Sequence, residues 1–266
     1  MRDFAYHKPA TVAAAAGLLA SIEEARPLAG GMTLLPTMKQ RLSAPDALVD
    51  LAGLALDGID LADGVVTIGA MTRHADVAAS PVLARCLPGL AGLAGGIGDP
   101  QVRHRGTIGG SVANNDPAAD YPAALLALGA EVITDRRAIP ADDFFVGLFE
   151  TALEPGEIIT AIRFPAVARA AYAKFRSPAS RYALAGVFVA ALPGGVRVAV
   201  TGAGPSVFRL PAMEAALDRD FTPDAARAVT IEPAGLNSDI HADAVYRAHL
   251  VGVMAGRAVA AALAFS

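Results

Sequence analysis

The sequence predicts an α+β chain. Three observations carry that reading. Near the start, Val12, Ala16, Leu19 and Ile22 recur at helical spacing. Through the middle, short β-branched runs are punctuated by Asp-Gly and Pro-Gly turns. After Pro165 two long β-rich runs meet at Gly194-Gly195, and helical patterns fill the rest. The change of pattern places a soft boundary near residue 168, between domains 1–168 and 169–266.

The elements follow in order. A first helix is expected over 9–24, with Pro9 at its start, where a missing N–H costs nothing. Pro27-Leu28-Ala29 reads as a short strand, Gly30-Gly31 as a turn and 33–41 as a helix. "ALVDL" (47–51) is a buried strand. Asp63-Gly64 joins "GIDL" to "VVTIG" in a hairpin. Short helices are expected over 72–95, broken by Pro81, Pro88 and Gly95-Gly96. Residues 117–128 read as a buried helix; the glycine-bearing polar stretch before it does not. Strands are expected over 131–134 and 158–164, the second after a Pro155-Gly156 turn. Within 182–204, Gly194-Gly195 closes a hairpin, and helices are expected near 211–218, 223–229 and 239–264.

The chain has 266 residues, 54% hydrophobic and 18% charged, enough to bury a large core. A net charge of −4 argues against nucleic acid as the main partner, and Arg103-His104-Arg105 reads as a solvated loop. The single cysteine, Cys86, excludes an internal disulfide and a cysteine-ligated zinc or iron–sulfur centre held by this chain alone. It lies in an apolar stretch and reads as a buried, inert thiol. A cytoplasmic location is expected. No uncharged run reaches the ~18–20 residues of a membrane span; the run 182–196 contains Pro193-Gly194-Gly195. The first residues have some look of a signal peptide, but Asp3 and the helical spacing favour a helix of a folded domain.

Two stretches carry chemistry. "LAGGMTLL" (28–35) sets adjacent glycines before a helix, which suits either a plain turn or a nest of backbone N–H groups around an anion. "TIGGS" (107–111) repeats the device about eighty residues later, and two such loops suit a pyrophosphate gripped from two sides. Asp120 starts the following helix, where it either complements the helix dipole or bonds a ribose, ribityl or flavin-ring group. Neither loop matches G-x-G-x-x-G or the phosphate loop of ATPases, and "GAGPSV" (202–207) is a turn. With no nucleophile elbow, metal-binding histidine pair or paired carboxylates, no catalytic residue and no metal ligand is assigned.

"LAGGMTLLPTMKQRL", "QVRHRGTIGGSVANNDPAADYPAALLALGAEV", "KFRSPASRYALAGV" and "VYRAHLVGVMAGRAV" together resemble the FAD-binding medium subunit of molybdenum hydroxylases, the family of carbon monoxide dehydrogenases and bacterial xanthine dehydrogenases. The resemblance covers nearly the whole chain. It implies a PCMH-type FAD-binding fold of two α+β subdomains, about 1–56 and 57–168. A C-terminal three-stranded sheet with a helical layer would follow.

It also implies a site. Leu28, Ala29, Gly30, Gly31, Met32, Thr33, Leu34 and Leu35 would form the first pyrophosphate loop. Thr107, Ile108, Gly109, Gly110 and Ser111 would form the second. Ile97, Asp120, Ile159 and Lys174 match positions around the cofactor, with Lys174 near the flavin ring, and Tyr182 matches a cover over one flavin face. On the residues alone, Lys174 reads equally as a strand-edge surface residue and Tyr182 as sheet core. Ser111 stands where Asn is frequent in the family, Met32 where a small or polar residue is usual, and Arg181 where Asp is frequent.

The implied function is noncovalent FAD binding and electron transfer. Substrate would be oxidised at a molybdenum cofactor on a large partner subunit. Electrons would cross 2Fe–2S clusters on a small iron–sulfur subunit, reach FAD here, and pass to NAD+, a quinone or oxygen. A self-sufficient flavoenzyme of related fold, and a scaffold without cofactor, are the rival readings.

Overall fold

The computed structural model describes residues 1–265. The first unit is a small parallel sheet built from β1 (Ala5–His7), α1 (Val12–Ser21), β2 (Ala25–Leu28), α2 (Leu34–Lys39) and β3 (Ala47–Asp50), in strand order β1-β3-β2. Parallel neighbours need crossovers, and the two helices supply them. Ala15 of α1 packs with Val49, Leu51 and Ile158. The helix is shorter than the expected 9–24. Thr11 caps it, its hydroxyl accepting from Ala14 N at 3.1 Å, so helical backbone starts after Pro9, not at it. Strand β1 was not legible in the sequence.

The second unit is an antiparallel sheet of β4 (Ile59–Ala62), β5 (Val65–Gly69), β6 (Glu131–Thr134), β7 (Ala138–Pro140) and β10 (Ile159–Pro165), ordered β4-β5-β10-β6-β7. Helices α3 (His74–Ala79), α4 (Pro81–Cys86), α5 (Pro88–Gly95), α6 (Pro100–Arg105), α7 (Ile108–Asn114), α8 (Tyr121–Leu128) and α9 (Ala141–Phe144) fill the connections. A two-stranded ribbon, β8 (Phe145–Gly147) with β9 (Glu150–Thr151), stands apart and exposes Val146, Leu148 and Phe149.

Three expectations are corrected here. The stretch before the buried helix is itself helical, as α7, because Thr107 caps it and its glycines let it pack closely. Residues 103–105 lie in α6, not in a loop, with Asp99 as cap. Cys86 is only half-buried; its Sγ donates to Val82 O at 3.0 Å, and burial raises its thiol pKa.

The C-terminal unit is an antiparallel sheet of β11 (Ala170–Arg176), β12 (Ala183–Leu192), β13 (Gly195–Thr201) and β14 (Phe208–Arg209). The three long strands match expectation; β14 adds a two-residue edge. Alternation along β12 divides the core. Phe188 and Ala190 pack toward α8 and the second sheet. Val187 and Val189 face α10 (Pro211–Arg219), α11 (Pro223–Ala228) and α12 (Ala244–Leu263). Helix α8 is therefore enclosed on every side, which is why all of its residues are apolar and buried.

Helix α12 starts five residues later than expected. The preceding turn is tied down instead by the buried Arg247, whose Nη1 donates to the carbonyls of Leu184 and Gly202 and whose Nη2 donates to Asp239 Oδ2 at 2.7 Å. No helix among the described residues is long and apolar enough to cross a membrane.

The first two units meet where Gly30, after β2, lies on the Arg105–Gly106 backbone. A Cβ on Gly30 would sit 2.1 Å from Arg105 O. Gly30→Ala should therefore force the two turns apart and destabilise the protein by about 1–3 kcal/mol, the range for overpacking a closed contact. Urea unfolding measures it; an unchanged midpoint would show that the turns separate freely.

Candidate functional site

A cleft of about 600 Å³ opens along this junction. One wall is the turn between β2 and α2, where Ala29, Gly30, Gly31, Met32, Thr33 and Leu34 all face the space. Leu28 and Leu35 flank it instead. Leu28 O accepts from Leu51 N, and Leu35 N donates to Gly31 O, so both ends of the turn are pinned. Gly31 has φ +74°, a conformation that glycine adopts without strain. Among the described residues, the amides of Gly30, Gly31, Met32, Thr33 and Leu34 have no protein acceptor. This is the nest allowed by the sequence: successive N–H donors along one side of a cavity.

The opposite wall is the start of α7. Thr107, Gly109, Gly110 and Ser111 face the cleft, and Ile108 points into the core. This wall is not a second nest. Ile108 N donates to Thr72 O at 3.1 Å, Gly109 N to Ala70 O at 2.9 Å, Gly110 N to Thr107 Oγ1 at 3.2 Å and Ser111 N to Thr107 O at 3.1 Å. The glycines are here for proximity, with helical backbone. A Cβ on Gly109 would lie 2.7 Å from Ala70 O. What this wall offers a ligand is side chains: among the described residues, those of Ser111 and Asn114 face the cleft without a protein hydrogen bond.

Ile97 and Ile159 line the apolar part of the cleft, and Tyr182 stands at its mouth, 43% exposed, beside the Thr33 side chain. Asp120 is buried but reaches the cleft. It occupies the cap position of α8 and makes no capping bond. Its carboxylate turns to β11, where Lys174 Nζ donates to Oδ2 at 2.7 Å and Tyr172 Oη to Oδ1 at 2.5 Å. Burial raises the Asp120 pKa, and Lys174 opposes that shift. Lys174 is thus held against Asp120 and does not line the cleft.

Residues 2–167 match the family described as the FAD binding domain in molybdopterin dehydrogenase. The chain is 38% identical to the carbon monoxide dehydrogenase medium chain of Hydrogenophaga pseudoflava, across 98% of this chain and 97% of that one. The chain belongs to this FAD-binding family. As a relative of dehydrogenase medium chains, it is an oxidoreductase component. Identity to the nicotine 6-hydroxylase medium subunit of Paenarthrobacter nicotinovorans is 36%, over 96% and 95% of the two chains. A solved carbon monoxide dehydrogenase from Hydrogenophaga pseudoflava superposes with a TM-score of 0.89 at 40% identity, covering 99% of this chain and 98% of that one. Quinoline 2-oxidoreductase from Pseudomonas putida 86 gives 0.88 at 29% identity, over 98% and 97%.

The cleft fits the family's cofactor. FAD presents a diphosphate, which the open amides of the first turn suit, and a flat ring, which the apolar end accommodates.

His74 is a wall residue that the sequence did not single out; one histidine in "TRHADV" carries no pattern. It is buried beneath Gly106, with Nδ1 3.3 Å from Tyr121 Oη. Burial, with Arg103 nearby, lowers its pKa to about 4. The folded state therefore resists protonating it, while the unfolded chain takes up the proton near its ordinary value of about 6.5. Stability contributed by the neutral ring is complete above that value and is lost as pH falls toward 4, on the order of 3 kcal/mol in all. His74→Gln, neutral throughout, should lose less stability over this window. Urea midpoints from pH 7 to 4 measure the difference, and parallel curves would refute it.

Proposed function

We propose that this chain is the FAD-carrying electron-transfer subunit of a multi-subunit molybdenum hydroxylase. The observation that carries the reading is the row of open amides at Gly30–Leu34 facing the α7 wall across a cleft of cofactor size. The amides hold the diphosphate by dipoles instead of lysines, which suits a chain of net charge −4. Ser111 and Asn114 add donors from the other side. Asp120 accepts a hydroxyl or N–H of the cofactor, Ile97 and Ile159 exclude water from the ring, and Tyr182 covers it at the mouth.

Bound flavin supplies one- and two-electron chemistry, so it joins single-electron carriers to a two-electron acceptor. With one cysteine, the chain cannot itself ligate an iron–sulfur cluster through thiolates. The clusters are assigned to a small partner subunit and the molybdenum cofactor to a large one. The acceptor is NAD+, a quinone or oxygen. The free Cys86 suits a reducing, cytoplasmic setting. Residues 1–168 form the FAD-binding domain, in two subdomains divided near residue 56, and 169–266 the C-terminal domain that supports it.

The FAD is held noncovalently. No histidine or cysteine stands in either wall motif, and His74 at the cleft wall is buried, with Nδ1 engaged by Tyr121 Oη. Acid precipitation should release FAD; FMN alone, or flavin that stays with the protein, would contradict the assignment. Gly110→Val should abolish flavin retention and leave the fold largely intact. A Cβ at Gly110 already lies 2.9 Å from Thr107 Oγ1 and 3.5 Å from the Ala29 side chain, and branched methyls extend into the cleft. Full flavin content in that variant would show that the α7 wall does not touch the cofactor.

Reconstitution with the two partner subunits tests the electron path. Omitting this chain should stop reduction of the final acceptor while substrate still bleaches the partners' iron–sulfur absorbance. Substrate oxidation by this chain alone would favour a self-sufficient flavoenzyme.

A further inference from the structure

We infer that Tyr172, outside the cleft, is the positioning residue that aims the Asp120 carboxylate at the cofactor, and that Gly186 exists to admit its hydroxyl. The inference rests on the FAD-binding reading and extends the site into the C-terminal sheet.

The geometry is specific. Tyr172 and Lys174 alternate on β11, so their side chains leave the same face of the sheet. Each donates to a different oxygen of Asp120, Tyr172 at 2.5 Å and Lys174 at 2.7 Å. A carboxylate held at both oxygens by charge-assisted bonds cannot rotate, and its remaining lone pairs have fixed directions. Among the described residues the Asp120 carboxylate has no other hydrogen-bond partner, and it makes no bond to the start of α8. The Tyr172 ring is itself steered: it stacks on Phe188 of β12 at 6.2 Å between centroids. Its hydroxyl occupies space left by Gly186, the cross-strand partner of Lys174; a Cβ there would lie 2.2 Å from that oxygen.

The backbone leading to Asp120 is held by the same sheet. Thr201 Oγ1 donates to Ala119 O at 2.6 Å and is 2.9 Å from Pro117 O, and Gly202 N donates to Pro117 O at 2.7 Å. Backbone and carboxylate are thus both set from the C-terminal unit. A core tyrosine needs none of this; its ring would pack equally well as phenylalanine.

Tyr172→Phe keeps the ring and removes the hydroxyl. In the full-length apo chain, FAD titration followed by flavin fluorescence should show binding weakened about 10-fold or more, the effect of losing a hydrogen bond to a charged group. Asp120→Ala should weaken it as well. In the Asp120→Ala background, Tyr172→Phe should then have no further effect, because its target is gone. Gly186→Ala keeps the hydroxyl but displaces it, and should reproduce the loss by an independent route. Apo thermal unfolding, run alongside, separates affinity from folding.

Wild-type affinity in Tyr172→Phe or in Gly186→Ala would overturn the inference. So would a loss that persists without Asp120, or a fall in apo stability with affinity unchanged. A wild-type chain that takes up no FAD would instead refute the functional reading itself.

Discussion

The cleft exists because two backbones touch. Gly30 lies against Arg105 and Gly106 with no room for a side chain, and this contact joins the parallel sheet to the antiparallel one. The turn that makes the contact has its amides left open on the other side. Close packing and ligand binding are thus two faces of one turn: Gly30 supplies the approach and Gly31, at φ +74°, supplies the reversal that keeps the N–H groups pointing outward. The α7 wall solves the same packing problem differently. Its amides are taken by the carbonyls of Thr72 and Ala70 and by Thr107, so it presents side chains. One wall presents open backbone amides and the other side chains, although their sequences look alike.

That difference marks the limit of what the residues disclosed. "LAGG" and "TIGGS" both read as glycine loops, since adjacent glycines signal close approach without saying to what. In the second motif the approach is to Ala70, far away in sequence, and Thr107 converts the stretch into a capped helix. The hairpins, the buried helix α8 and the two long strands β12 and β13 were legible because apolar periodicity and turn residues act locally, whereas the third long strand, β11, was implied only by the family resemblance. Strand β1 was not, because three residues beside β3 are defined by pairing alone. Of the site, the two walls, Ile97, Ile159, Asp120 and Tyr182 were legible and do meet at the cleft. Lys174, expected near the ring, grips Asp120. His74 and Tyr172 carry no motif, and their roles appear only when the chain folds.

The C-terminal sheet has two sides with two tasks. One packs on α10, α11 and α12 and makes a core of its own. The other, with Phe188 and Ala190, completes the core around α8 and shares it with the second sheet. The core around α8 therefore draws on residues from both sides of residue 168. The consequence reaches the cleft: Thr201 and Gly202 fix the approach to Asp120, and Lys174 and Tyr172 fix its carboxylate.

This arrangement also explains how an acidic residue is tolerated beside an anion site. Asp120 is buried, and burial by itself favours the neutral acid. Lys174 balances the charge at contact distance, and Tyr172 adds a donor without adding charge. The local sum is near neutral, so an anion at the first turn meets little repulsion from this carboxylate. Removing the lysine to a solvated strand edge would leave an uncompensated buried charge, a far more expensive state than a paired one. The C-terminal unit thus supplies the countercharge that lets the N-terminal units place an acid in the cleft, and this electrostatic debt binds the three units into one site.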